Sequence, residues 1–89
     1  MTVIDVDLLI DTAFEAGCTV RTDYSGRYMY GETCVGVVGT PGALAAFVAL
    51  ITRRLDDQEL DTDWLGRMRQ DHMGLSDIWY WPGVTASKP

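Results

Sequence analysis

Eighty-nine residues, 47% of them apolar, are enough for one packed domain and too apolar for a disordered chain. Thirteen carboxylates against seven basic side chains give a net charge of −6. That field repels phosphate, so direct binding to nucleic acid or to an anionic membrane is disfavoured.

The start of the chain has no basic segment leading into a long apolar run, so no signal peptide is expected. The most apolar stretch, Ala43 to Ile51, falls well short of the ~20 residues a bilayer span needs. Two cysteines do not make a secreted disulfide framework. The expected setting is the cytoplasm, here of a host cell.

In chain order, Asp5 or Asp7 starts a first helix, because either carboxylate can accept a free N–H of the first turn. Val6, Leu9, Ile10, Ala13 and Phe14 recur at helical spacing as its buried stripe, and Gly17 caps its end. A strand from Cys18 to Thr22, turn residues from Asp23 to Arg27 and a strand from Tyr28 to Val38 make a β-hairpin. With the turn centred on Gly26, Tyr24 faces Tyr28, Thr22 faces Tyr30, Val20 faces Glu32 and Cys18 faces Cys34. A bulge at Gly31 would exchange the faces beyond it.

Thr40-Pro41-Gly42 opens a second helix with the stripe Leu44, Phe47, Val48, Ile51 and Leu55. After the acidic connection from Asp56 to Asp61, a third helix carries Trp64, Leu65, Met68 and His72 and ends at Met73-Gly74. A last strand runs from Leu75 to Trp81, with Ile78 and Tyr80 facing one way and Trp79 and Trp81 the other. Residues 85–89 read as a frayed polar tail of this single domain. The expected fold is α+β, in the order α-β-β-α-α-β. It has a three-stranded, mostly antiparallel sheet with helices packed on one face.

Two blocks carry a likeness to known sequences. One is Asp23-Tyr24-Ser25-Gly26-Arg27-Tyr28-Met29-Tyr30-Gly31-Glu32-Thr33-Cys34-Val35-Gly36, and the other runs from Asp71 through His72-Met73-Gly74-Leu75 to Pro82. With the apolar helix between them, they resemble a group of small, largely uncharacterised bacteriophage proteins. The resemblance implies a phage origin, and the small size suits an accessory or counter-defence role. It carries over no activity.

The residues themselves offer one pointed candidate, the hairpin tip Tyr24-Ser25-Gly26-Arg27-Tyr28 with Arg21 and Tyr30 beside it and the Met73-Gly74 turn near. Arg27 can fork onto a phosphate or carboxylate, the tyrosines can stack a base, and Gly26 permits close approach. The same residues also read as plain turn chemistry with cross-strand packing.

No P-loop or GxGxxG spacing is present, and one histidine with two distant cysteines is thin for a metal. Cys34 and His72 would make a nucleophile and base only if they met. No catalytic residue and no cofactor are therefore expected. Cys18 and Cys34 read as thiols, although a cross-strand bond is conceivable in the register above. An exposed Trp79–Trp81 pair would be a docking surface and a reason to expect a homo-oligomer.

Two functions follow as expectations. The first is sequestration of a small phosphate-bearing, nucleotide-like ligand at the hairpin tip. The alternative is an acidic inhibitor or adaptor that binds a host protein.

Overall fold

In the computed structural model, residues 2–26 and 29–87 are described, Met73 through its backbone only. The fold is α+β, as expected, with more strands than expected. Strand β1 (Thr2–Asp5) leads into helix α1 (Val6–Ala16). Strands β2 (Thr19–Tyr24) and β3 (Cys34–Gly39) follow, then helix α2 (Pro41–Asp57) and a 3₁₀ turn (Asp63–Arg67). Strands β4 (Arg69–Met73), β5 (Ser76–Trp81) and β6 (Val84–Ser87) complete the described chain. The main sheet is four-stranded and antiparallel, in the order β2-β3-β5-β4, and β1 pairs in parallel with β6 in a separate two-stranded sheet.

The helix ends follow local chemistry. Asp5 caps α1 by accepting the Asp7 N–H at 2.9 Å, and Gly17, with φ 83°, closes it in the left-handed conformation that glycine tolerates. Thr40 Oγ1 accepts the Ala43 N–H at the start of α2, and Pro41 occupies the first turn without losing a bond.

Of the expected α2 stripe, Leu44, Phe47, Ile51 and Leu55 are fully buried and Val48 is half-buried against the same core. They pack with Leu9 and Ala13 of α1 onto Val35, Val37 and Trp81 of the sheet. Trp81 is the hub. Its ring meets Trp64 edge-on at 5.5 Å and Phe47 at 6.2 Å, and its Nε1–H donates to the Leu65 carbonyl at 3.1 Å.

Four expectations are corrected. Residues 69–73 form β4, not the end of a third helix: Gly74, at φ 63°, turns the chain directly into β5, and only the 3₁₀ turn remains of that helix. The expected polar tail is ordered through Ser87 as β6, whose pairing with β1 joins the two ends of the described chain. The β2–β3 register differs too, since Tyr24 pairs with Cys34, Arg21 with Gly36 and Val20 with Val37, with a bulge between Arg21 and Tyr24. Cys18 and Cys34 are therefore not opposite, and both are free thiols. Finally, in α1 the buried arc is Leu9, Thr12 and Ala13, which leaves Ile10 and Phe14 facing solvent.

Candidate docking site

The face of the sheet away from the helices is crossed by Tyr24 of β2, whose ring lies 4.9 Å from that of Tyr80 and whose hydroxyl donates to Asp71 Oδ2 on β4 at 3.0 Å. Gly36 lets this ring cross the sheet: a Cβ there would stand 3.1 Å from Ile78 Cδ1 and 3.3 Å from Tyr24 Cβ. Gly26 does the same above Tyr80, where an added Cβ would meet the ring at 3.0 Å.

Met29 completes the cluster. Its Sδ accepts the Gly26 N–H at 3.1 Å and lies 3.7 Å from the Cys34 thiol. Together Met29, Cys34 and Tyr80 form a second small core, with Tyr24 packed against it. Burial, helped by the Asp71 hydrogen bond and its charge, pushes the Tyr24 phenol up to about 12.

The predicted ligand residues thus separate. Tyr24 and Gly26 are committed to packing, while Ser25 and Tyr30 face solvent, Tyr30 at the apex of a turn with Gly31. Arg21 lies opposite Gly36 on β2 and is already engaged. Arg27 and Tyr28 lie outside the described residues. Met73 is the last residue of β4, paired with Ser76, and Gly74 opens the β4–β5 turn, at the end of that hairpin away from the Arg69–Tyr80 pair. The Tyr24–Asp71 bond ties β2 to β4.

The aromatic strand β5 is likewise turned inward. Trp81 is 1% exposed and offers no docking surface, because it fills the space between α2 and the 3₁₀ turn. Trp79 is partly buried against the same core. Cys34 and His72 lie on opposite faces of the sheet. Burial holds the Cys34 thiol above its ordinary pKa against an opposing backbone hydrogen bond from Trp81, and His72 pairs with Asp77 at 2.8 Å. Among the described residues, no group of three or more His, Cys, Asp or Glu side chains is placed to hold a metal ion.

Helical spacing assigns to the core two apolar side chains that stand open to solvent. Ile10 and Phe14, one helical turn apart on α1, are 49% and 83% exposed. Around them α1 carries Asp7, Asp11 and Glu15 and no basic residue. Phe14 and Leu8 supply the apolar lining of a shallow groove of about 640 Å³ between α1 and α2, shared with Asp11, Glu15, Arg54 and Asp57.

Arg54 is fixed there by α1. Nη1 donates to the buried Thr12 Oγ1 at 2.8 Å, and Nη2 pairs with Glu15. The Thr12 hydroxyl in turn donates to the Leu8 carbonyl at 2.6 Å, so this buried polar group is satisfied on both sides. A second, smaller concavity of about 370 Å³ is bordered by Arg67, Met68, Arg69 and Pro82.

No family model, curated protein or solved structure matches this chain. No helix among the described residues is long and apolar enough to cross a membrane.

Proposed function

We propose that this chain is a non-catalytic binding module that acts by docking onto another protein, as an inhibitor or adaptor. The observation that carries the reading is the Ile10–Phe14 pair on a helix whose other outward side chains are carboxylates. An aromatic ring this exposed contributes little to the fold where it stands. Transferred to a partner's surface, it would contribute about 1.5–3 kcal/mol. The phage resemblance fits the same reading, with a host protein as target.

Phe14→Ala separates binding from folding. The substitution lies on an exposed helical face, so stability should change by less than about 0.5 kcal/mol. Binding to a protein captured from bacterial lysate should weaken roughly tenfold or more. A partner held equally well by wild type and Phe14→Ala would remove the reading.

A second reading, sequestration of a phosphate-bearing ligand, is favoured by the Arg67–Arg69 concavity, where two guanidiniums flank apolar Met68 and Pro82. Inorganic pyrophosphate should then raise the melting temperature of the wild type and not that of Arg67→Ala with Arg69→Ala. An unchanged melting temperature in the wild type eliminates this alternative.

A further inference from the structure

The α1–α2 groove has a definite charge logic. Three carboxylates, Asp11, Glu15 and Asp57, face one guanidinium, Arg54. That guanidinium is engaged on both sides, by Thr12 through Nη1 and by Glu15 through Nη2, so its donors are already in use. Asp11 and Asp57 remain exposed and unpaired among the described residues. Leu8, half-buried, and Phe14, exposed, flank Asp11 at three-residue spacing along the α1 side of the groove, and Asp57 stands on α2. The groove therefore interleaves apolar side chains with unneutralised negative charge.

We infer that this groove receives a basic amphipathic segment of a partner protein. Lysine or arginine side chains would pair with Asp11 and Asp57 while aliphatic side chains rest on Leu8 and Phe14. The inference rests on the protein-docking reading above and adds the chemistry of the partner.

Charge also decides against the other occupants. A second copy of this chain would bring the same α1 carboxylates, on a molecule of net charge −6, against their own kind. An acidic segment meets the same repulsion, because the one cation is already committed. A basic segment gains at short range and is steered from outside by the overall field.

The test uses the full chain and a fluorescently labelled amphipathic peptide with leucine and lysine at helical spacing, read by anisotropy. Its counterpart has glutamate in place of lysine. The lysine peptide should bind, and binding should weaken roughly tenfold between low salt and a salt level that shortens the screening length to about 3 Å. Asp11→Asn with Asp57→Asn, or Phe14→Ala alone, should weaken it roughly tenfold. The charge-matched control, Asp23→Asn with Glu32→Gln, should leave it unchanged. The glutamate peptide should not bind.

Absence of binding, or binding that the control weakens as much as the groove variants do, overturns the inference. So does concentration-dependent dimerisation that Phe14→Ala abolishes, because the occupant would then be a second copy. The two levels separate cleanly. Phe14-dependent capture of a partner without binding of the lysine peptide removes only the basic segment, whereas capture indifferent to Phe14 removes the docking reading itself.

Discussion

Gly36→Ala probes the packing that closes the back of the sheet. A Cβ at this position would lie 3.1 Å from Ile78 Cδ1, 3.3 Å from Tyr24 Cβ and 3.4 Å from Tyr24 Cγ. Ile78 is fully buried, and Tyr24 is anchored at both ends, by its backbone in β2 and by the hydrogen bond to Asp71. Neither neighbour can retreat by a few tenths of an ångström without loosening the Tyr24–Tyr80 contact. Overpacking of this kind costs about 1–3 kcal/mol, against a gain of about 0.4–1 kcal/mol from the stiffer unfolded chain. The net loss should be about 1–2 kcal/mol, a fall of about 5–15 °C in Tm for a domain of this size.

Gly42→Ala is the internal comparison. This glycine lies in the first turn of α2 with nothing within 4 Å of an added Cβ, so only the favourable terms remain and the variant should gain about 0.4–1 kcal/mol. Urea unfolding followed by circular dichroism measures both. A Gly36→Ala protein as stable as wild type would refute the account of how Tyr24 crosses the sheet.

Other consequences follow from the same contacts. Tyr24→Phe should cost about 1 kcal/mol, because it removes the hydroxyl from Asp71 and leaves the ring in place. Burial first, and Asp71 second, raise this phenol from 10 to about 12, so its contribution is complete below pH 10 and is lost as pH rises through 12. Wild-type stability should therefore fall more steeply over that window than that of Tyr24→Phe, as read from urea midpoints at stepped pH. Arg54→Ala should cost about 1–2 kcal/mol through the bond to buried Thr12, whereas Glu15→Gln, at the half-exposed end of the same cluster, should cost less than about 0.5 kcal/mol. Cys34, fully buried with its thiol kept protonated by burial, should resist a thiol-specific reagent until the protein unfolds, while half-buried Cys18 reacts in the native state.

What the sequence disclosed was local. The Thr40-Pro41 start and the Leu44-Phe47-Ile51-Leu55 stripe of α2 are written in adjacent residues, and so are the Asp5 and Gly17 caps of α1. What it concealed depended on distant partners. In α1, helical spacing permits two neighbouring apolar arcs. The position of α2, tied to α1 through Arg54, Thr12 and Glu15, buries Leu9, Thr12 and Ala13 and turns Ile10 and Phe14 outward. The proposed docking surface is hidden for the same reason, since helical spacing assigns Phe14 to the core and cannot say which arc meets a neighbour.

Strands β1 and β6, four residues each, carry too little periodicity to stand out, and their parallel pairing joins the two ends of the described chain. Trp64, Leu65 and Met68 mimic a helix up to the point where β4 begins. The bulge between Arg21 and Tyr24 shifts the hairpin register, and it is this shift that sends Tyr24 across Gly36 instead of outward at the tip.

The central claim is that the acidic, aromatic side of α1 is where this protein meets its partner. A map of backbone amide chemical shifts on adding that partner tests it most directly. The largest changes should fall on Leu8, Ile10, Asp11, Phe14 and Arg54 and be absent in Phe14→Ala. Changes confined to Ser25–Thr33, or to Arg67–Arg69 and Pro82, with α1 unmoved, would contradict it.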